Sequence, residues 1–302
     1  MPSPDSTDVT FQLPNLLNTV LPFSLKENPY HKAAEIKAYT WFDSYAVYTD
    51  HKREKFFSHD YGTLCAWAYP ETSTQSHLET CIAFNLWLFA YDDMADESGL
   101  RQSADGLKLG GDISIQVLTD TDVAVPKFKF ARMLQDFVEA FKVYTQASLC
   151  QTSYRVQANT PTIDEFIQIR RNSSGLKLVF AFIEYAMDLD IPDGIYNTPI
   201  LNSLVEAAVD IVAWNNDICS FNNEQSHGDT QNLVYCVLVE KNYSLQAAMD
   251  YVAEMFLDLR EAIPAFGLPD VEKYLKGLEH WISGSMHWYY HSKPIHLRMT
   301  GT

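Results

Sequence analysis

This chain of 302 residues is poor in several features that each mark a particular class of protein. Its five cysteines are odd in number and form no Cys-x-x-Cys pair, which predicts reduced thiols in a cytoplasmic protein and excludes a disulfide framework. No run of about 18 uninterrupted apolar residues occurs, which predicts no membrane span. The first residues lack both a basic region and a long apolar run, so we expect no signal peptide.

Basic residues are also scarce, with 22 Lys and Arg against 39 Asp and Glu, for a net charge of −17. No block of Lys or Arg occurs, so we expect neither nucleic acid nor an anionic membrane surface as a partner. An acidic protein of this kind that handles an anionic substrate needs local cations or bound metal ions to do so.

Alternating strand patterns, internal repeats and domain-dividing linkers are absent, whereas apolar residues make up 47% of the chain and recur at helical spacing. We therefore predict an all-α fold, a single bundle of about ten helices. Residues 1–30 are predicted to be an extended arm, residues 31–293 the helical domain and residues 294–302 a C-terminal tail. The helices are expected near 33–48, 51–58, 61–68, 76–93, 127–150, 162–189, 199–224, 232–241, 244–262 and 270–291, with a long connection over 97–127.

One polar stripe lies near the end of the predicted 199–224 helix. Asn216, Ser220 and Glu224 follow at positions i, i+4 and i+8, so their side chains point within about 80° of one another. An amide oxygen, a hydroxyl and a carboxylate are hard oxygen donors of the kind that Mg²⁺ accepts while sharing substrate phosphates. Taken alone, such a stripe is more often a polar helix end that frays into a loop.

A second cluster, Asp92-Asp93-Met94-Ala95-Asp96-Glu97, follows the most apolar helical segment of the chain. Asp92 and Asp96 share one helix face, and acids at a helix C-terminus oppose the macrodipole at a cost of about 0.3–1 kcal/mol each. A solvated helix end is the usual explanation for such a cluster alone. Together with the stripe at Asn216, it predicts two helices that present metal ligands across the mouth of a cavity.

The predicted 162–189 helix carries an arginine pair followed by a break. Thr162 and Glu165 form a capping pattern at its start, and Ser173-Ser174-Gly175 interrupts its middle. Arg170 lies ahead of that break and carries a guanidinium suited to a bidentate grip on phosphate oxygens. An arginine pair in isolation is more often a surface feature, so this role depends on the two acidic clusters.

These motifs resemble those of class I terpene synthases, most closely the fungal-type (microbial) sesquiterpene synthases. The resemblance rests on Asp92-Asp93-x-x-Asp96, on Asn216-Asp217-x-x-Ser220-x-x-x-Glu224 and on Arg170 at the family's usual distance ahead of that signature, and it covers about residues 10–290. It implies the class I isoprenoid synthase bundle around an apolar cavity. The implied reaction converts an isoprenyl diphosphate, most often farnesyl diphosphate, to a terpene.

The resemblance also implies roles for individual residues. Asp92 would bridge two of three Mg²⁺ ions within a motif that includes Asp96, and Mn²⁺ is expected to substitute. Asn216, Ser220 and Glu224 would hold the third ion.

The same resemblance assigns Arg170 to sensing the diphosphate. It places Ser174 and Gly175 in the segment that couples diphosphate binding to ionisation.

The cavity walls are predicted from helix geometry. Leu88 lies one turn before Asp92, and Val209, Val212 and Ala213 precede Asn216, so these side chains are expected to face the substrate. Aromatic rings could stabilise a carbocation by cation–π interaction, although core packing is the more frequent role of any single ring. The candidate aromatic residues are Phe57, Phe84, Trp87, Phe180 and Trp288.

Two departures from the family pattern remove positive charge near the expected diphosphate. Many members carry an Arg-Tyr pair after the last helix, where this chain has Lys293-Pro294-Ile295-His296, so Lys293 or Arg298 is the candidate replacement. Some members also have a lysine where this chain has Asn223. Weaker closure of the site would admit water, which favours acyclic or hydroxylated products such as a linalool- or nerolidol-type alcohol.

Several alternatives follow from these patterns. The chain could be a monoterpene synthase that uses geranyl diphosphate, or a diterpene synthase, because the sequence does not give the pocket volume. It could also be a catalytically weak relative that binds Mg²⁺ and diphosphate. A chain-elongating prenyltransferase would need a second aspartate-rich motif and further basic residues, which the sequence does not show. Monomer and homodimer are both open.

Overall fold

The computed structural model describes residues 11–19, 23–97, 105, 108, 111, 112, 114, 129–157, 159–196, 198–226, 228–258 and 267–291. These residues form α-helices, one short 3-10 helix at Leu16–Thr19 and no strand, which confirms the predicted all-α fold. The helices are α1 His31–Asp43, α2 Asp50–Phe57, α3 Tyr61–Ala68, α4 Gln75–Glu97, α5 Lys129–Val156, α6 Ile163–Ser173, α7 Leu176–Met187, α8 Asp193–Tyr196, α9 Pro199–Ser226, α10 Leu233–Lys241, α11 Leu245–Asp258 and α12 Pro269–His291.

The predicted break between residues 173 and 175 is confirmed. Thr162 and Glu165 form a capping box at the start of α6, in which the side chain of each bonds to the backbone of the other. Helix α6 ends at Ser173, and Gly175 adopts a left-handed φ of 72° before α7 begins. Glycine populates this conformation readily, so the chain can turn there between two helices.

Two helix predictions need correction. Helix α4 continues to Glu97, so Asp92 and Asp93 lie within the helix and not at its end. Helix α1 ends at Asp43, and its buried side is formed by His31, Ala34, Ala38 and Phe42. Small residues let α1 lie close against α4, so the larger Ile36 and Trp41 are left exposed on the opposite side.

The predicted arm contains the 3-10 helix, and it packs onto the helical bundle. Leu16 is buried, and its backbone N–H donates to the phenol oxygen of Tyr290 at 3.4 Å. The Tyr290 hydroxyl in turn donates to the carbonyl of Pro14 at 2.9 Å. Phe11 lies edge-on to Phe221, with ring centroids 6.2 Å apart, so the arm is attached to both α9 and α12.

The hydrophobic core is continuous through the bundle, and the long helices α4, α9 and α12 contribute much of it. Helix α9 packs against α12 and α6, while α4 packs against α1, α3 and α7. This arrangement brings the polar residues in the C-terminal parts of α4 and α9 to one shared cavity. Among the described residues, no helix combines the length and apolar character that crossing a membrane requires.

Candidate active site

A cavity of about 680 Å³ opens between helices α2 to α6, α9, α12 and the loop after α9. Its wall brings together residues that are far apart in the sequence but were predicted to share one site. These residues are Asp92, Arg170, Asn216, Ser220 and Glu224.

Helix α9 presents its polar stripe to this cavity at the predicted spacing. The Ser220 hydroxyl donates to the backbone carbonyl of Asn216 at 2.8 Å, one turn earlier. At the far end, Asn232 donates through Nδ2 to Glu224 Oε2 at 2.8 Å and to the carbonyl of Asp217 at 2.7 Å. Burial, with a smaller contribution from the charge of Asp217, raises the pKa of Glu224 to about 7.

Arg170 is held against α9 by two consecutive residues. Its Nε donates to Asp217 Oδ1 at 3.0 Å, its Nη2 lies 2.8 Å from the same oxygen, and Nη2 also donates to the amide oxygen of Asn216. Asp217 is buried and also accepts a hydrogen bond from the backbone N–H of Leu233 at 3.2 Å. Burial alone would lower the pKa of Arg170, but the carboxylates of Asp217, Glu224 and Asp92 raise it.

Helix α12 also contributes to this network. Asn216 donates through Nδ2 to the hydroxyl of Tyr289 at 2.6 Å, and Tyr289 lines the cavity beside it. Burial raises the pKa of Tyr289 well above its ordinary range, which keeps the phenol protonated. Sequence reasoning missed Tyr289, because its contact with Asn216 joins residues 73 positions apart.

Two tyrosines orient the acidic cluster of α4. Tyr144 on α5 donates to Asp92 Oδ1 at 3.0 Å, and Tyr48, which precedes α2, donates to Asp93 Oδ2 at 3.1 Å. Both carboxylates line the cavity. Asp96 lies on the last turn of α4, but its side chain is outside the described part of the chain.

Cations line the same cavity as these acids, although the chain as a whole is strongly acidic. Lys52 and Lys55 are exposed residues of α2 that line the cavity, which places them at its rim. Arg155 on α5 lines the wall and pairs with Asp229. Lys293 lies outside the described residues. With His59 taken as neutral, the lining holds four basic against four acidic side chains: Lys52, Lys55, Arg155 and Arg170 against Asp92, Asp93, Glu224 and Asp229.

Aromatic rings form one side of the cavity. Tyr61 stacks on Phe89 with centroids 4.1 Å apart and lies 5.9 Å from the ring of Trp288, and Phe56 adjoins Tyr61 at 5.2 Å. Of the predicted aromatic candidates, Trp288 lines the cavity. The other four, Phe57, Phe84, Trp87 and Phe180, contact further aromatic residues in the core and are not among the lining residues.

The aliphatic candidates are buried in the core and do not line the cavity. Leu88 is 7% exposed and Val212 is 5% exposed, and neither is among the residues that line the cavity. Val209 and Ala213 are likewise buried in the core. A Cβ placed on Gly175 would lie 3.4 Å from Leu88 Cδ2, so Leu88 supports the break between α6 and α7.

That break presents a different serine from the one predicted to bind substrate. The Ser174 hydroxyl accepts from the backbone N–H of Leu176 at 3.3 Å, which directs it toward the start of α7. Ser173 instead lines the cavity, and its buried hydroxyl has no hydrogen-bond partner among the described residues. A buried hydroxyl without a partner is costly unless something else binds to it.

The donor set fits a hard divalent cation. Asp92, Asp93, Asn216, Ser220 and Glu224 supply carboxylate, amide and hydroxyl oxygens to one cavity, the donor chemistry that Mg²⁺ prefers. In the part of the chain that the structure describes, no group of three His, Cys, Asp or Glu side chains converges as a closed metal site. A site completed by water or substrate oxygens fits this arrangement, because Mg²⁺ commonly keeps several such ligands.

Comparison with known proteins gives a consistent result. Residues 83–262 match the profile of the family described as terpene synthase family 2, C-terminal metal binding. The chain is 33% identical to sesquiterpene synthase 3 of Postia placenta, over 92% of this chain and 81% of that protein. It is 30% identical to sesquiterpene synthase Agr1 of Cyclocybe aegerita, over 91% and 86% of the two chains. The solved structure of hedycaryol synthase in complex with nerolidol has the same fold, with a TM-score of 0.75 at 18% identity over 92% of this chain and all of that one.

Proposed function

The chain belongs to the terpene synthase family, and on that premise we propose that it is a Mg²⁺-dependent sesquiterpene synthase acting on farnesyl diphosphate. One observation supports this proposal above the others. Two helices, α4 and α9, present oxygen ligands to a single cavity that also contains Arg170 and a wall of aromatic rings. A diphosphate with its metal ions fits the polar side, and an isoprenyl chain fits the aromatic side.

The metal ligands follow from this placement. Asp92 and Asp96 on α4 and Asn216, Ser220 and Glu224 on α9 would hold three Mg²⁺ ions, and we expect Mn²⁺ to substitute. When bound, the ions neutralise negative charge on the departing diphosphate. Tyr144 and Tyr289 orient two of these ligands by donating to Asp92 and by accepting from Asn216.

Arg170 would bind the diphosphate oxygens, and its ion pair with Asp217 would hold the guanidinium in place. The bond between the allylic carbon and oxygen breaks, its electron pair leaves with the diphosphate, and no proton donor is required. Ser173, Ser174 and Gly175 form the adjoining break, where Ser173 lines the same cavity. Lys293 is proposed as an additional cation for the diphosphate.

The remaining allylic cation must be kept from water and stabilised. Phe56, Tyr61, Phe89 and Trp288 form the wall best placed for cation–π stabilisation. Leu88 and Val212 do not line the cavity, so we propose an indirect role for them, through packing in the core that surrounds it. Loss of a proton then yields a hydrocarbon, whereas addition of water followed by loss of a proton yields an alcohol.

A specific feature favours an alcohol as a second candidate product. The cavity wall includes Ser148, Gln151 and Gln231, polar side chains that can hold water close to the substrate. Reaction in ¹⁸O-labelled water tests this: labelled linalool- or nerolidol-type alcohols would support it, and exclusively unlabelled cyclic hydrocarbons would exclude it.

The main proposal is tested by incubating the purified protein with Mg²⁺ and, separately, geranyl, farnesyl and geranylgeranyl diphosphate. Volatile products are then identified by gas chromatography–mass spectrometry. We expect a sesquiterpene from farnesyl diphosphate that disappears in Asp92→Ala and Asn216→Ala. A product from geranyl diphosphate alone would assign a monoterpene synthase. Binding of diphosphate without any product would identify a non-catalytic relative.

A further inference from the structure

Arg155 is a second arginine in the cavity wall. It lies on α5 at the end of a polar stripe, where Ser148, Gln151 and Arg155 recur at i, i+3 and i+7 and all line the cavity. Its side chain is 18% exposed, and its Nη2 lies 3.1 Å from Asp229 Oδ2 while its Nε donates to Oδ1 at 3.3 Å. The predicted site did not include either residue.

Asp229 is itself held rigidly. Its backbone N–H donates to the carbonyl of Glu224 at 2.9 Å, and its carbonyl accepts from Gln225 Nε2 at 2.6 Å. Its Oδ1 also accepts from the backbone N–H of Gln231 at 2.9 Å. Asp229 therefore fixes the guanidinium of Arg155 relative to the end of α9 that carries Glu224.

We propose that Arg155 binds the diphosphate of the substrate from the α5 side of the cavity and that Asp229 positions it for this role. The inference rests on the proposed function and adds a second guanidinium to Arg170. A guanidinium carries five N–H donors in a planar fork, so it can contact phosphate oxygens while Asp229 still holds one edge. The diphosphate is thereby bound between Arg170 on α6 and Arg155 on α5.

A purely structural ion pair is the competing explanation, in which Arg155 and Asp229 only attach the loop after α9 to α5. The two explanations differ in what they predict for Asp229→Asn. That change removes the negative charge but keeps an oxygen that can accept from Gln231. If the pair is only structural, Arg155→Gln and Asp229→Asn should cause similar losses of pyrophosphate affinity. If Arg155 binds the diphosphate, Asp229→Asn should keep that affinity, because the charge of Arg155 is still present.

Binding of inorganic pyrophosphate in the presence of Mg²⁺, measured by isothermal titration calorimetry on the full chain, separates these cases. We expect Arg155→Gln to weaken binding about tenfold or more, since a hydrogen bond to a charged group is lost. Asp229→Asn keeps a side-chain oxygen that can accept from Arg155, so it should bind pyrophosphate within about twofold of the wild type. Arg53→Gln is the control, because Arg53 is ion-paired with Asp43 and does not line the cavity.

Thermal unfolding of each variant checks that it folds. Arg155→Lys serves as a second variant, because it keeps the positive charge but lacks the planar set of guanidinium N–H donors. Arg155→Lys should bind pyrophosphate with intermediate affinity. Unchanged affinity in Arg155→Gln would overturn the inference, and so would equal losses in Arg155→Gln and Asp229→Asn. If the wild-type protein binds no pyrophosphate and turns over no substrate, the proposed function itself has failed. A wild type that is active and binds pyrophosphate, with Arg155→Gln unaffected, means that only this inference has failed.

Discussion

The side-chain amide of Asn216 on α9 donates to the phenol oxygen of Tyr289 on α12 at 2.6 Å. The amide oxygen is thereby turned away from Tyr289 and toward Arg170, which donates to it. A residue of the last helix thus determines how a proposed metal ligand is oriented. The geometry of the site depends on the packing of α9 against α12 as well as on α9 itself.

Replacing Tyr289 with Phe tests this dependence. Loss of the hydroxyl leaves the Asn216 amide without its acceptor, which costs about 1–3 kcal/mol. We expect kcat/KM for farnesyl diphosphate to fall about tenfold or more and the Mg²⁺ concentration for half-maximal rate to rise. Tyr290→Phe is the matched control, since its hydroxyl bonds to Pro14 and it is not among the lining residues. Equal effects in the two variants would show that Tyr289 has no special role.

The raised pKa of Glu224 predicts a pH-dependent stability of the metal-free protein. Burial raises this pKa from its ordinary value of 4.5 to about 7. Below pH 4.5 both folded and unfolded chains hold the proton, so the group contributes nothing. Between pH 4.5 and pH 7 the unfolded chain has released the proton, whereas the folded chain still holds it. The free energy of unfolding therefore falls as pH rises through this range, and it levels off above pH 7.

Chemical denaturation of wild type and Glu224→Gln across pH 4 to 8 isolates this contribution. The glutamine stays neutral, so the variant should gain about 3 kcal/mol of unfolding free energy relative to wild type as pH rises through this window. Added Mg²⁺ with pyrophosphate should remove this difference in unfolding free energy, because the metal favours the ionised carboxylate of the wild type. A difference that does not vary with pH would contradict the assignment.

The left-handed conformation of Gly175 leads to a prediction in which effects on stability and on kcat can be told apart. Its φ of 72° is unfavourable for alanine, and we expect Gly175→Ala to cost about 1–2 kcal/mol of unfolding free energy. Gly267→Ala is the control, because Gly267 also has a positive φ, of 68°, but lies outside the break between α6 and α7 that brings Ser173 to the cavity. Both variants should lose similar stability, but only Gly175→Ala should lower kcat. A similar fall in kcat for both would mean that destabilisation alone explains it.

The rim lysines predict salt-dependent substrate capture. In Lys52→Gln/Lys55→Gln we expect KM for farnesyl diphosphate to rise about two- to fivefold at low salt, because each exposed charge contributes less than about 1 kcal/mol. The difference from wild type should shrink at about 0.5 M NaCl, where charges are screened.

Lys32→Gln/Lys37→Gln removes the same charge from α1, outside the cavity lining, and should leave KM unchanged. If this α1 variant raised KM to the same extent, the effect would belong to net charge and not to the rim.

Helical spacing was sufficient to predict the contribution of α9, because Asn216, Ser220 and Glu224 share a face wherever that helix lies. The capping box at Thr162 and the break at Gly175 were also predictable, since both arise from neighbouring residues. Local patterns of this kind need no knowledge of how the helices pack.

The residues that complete the site depend on that packing. Tyr289 and Arg155 reach their partners across 73 and 74 residues of chain, and no local pattern marks such contacts. The aromatic wall shows that the sequence also fails to identify which of two neighbouring aromatic residues lines the cavity. Phe56 lines the cavity where Phe57 was predicted, because a shift of one residue rotates a helix position by about 100°.

The central claim, that this protein ionises an isoprenyl diphosphate at a Mg²⁺-dependent site, is tested most directly by ³¹P nuclear magnetic resonance of the reaction with farnesyl diphosphate. The account predicts one inorganic pyrophosphate released for each farnesyl diphosphate consumed, with Mg²⁺ present, and no release after chelation or in Asn216→Ala. Two results would contradict the account. One is farnesyl monophosphate or orthophosphate as the product, and the other is an unchanged spectrum of farnesyl diphosphate when Mg²⁺ is present in excess.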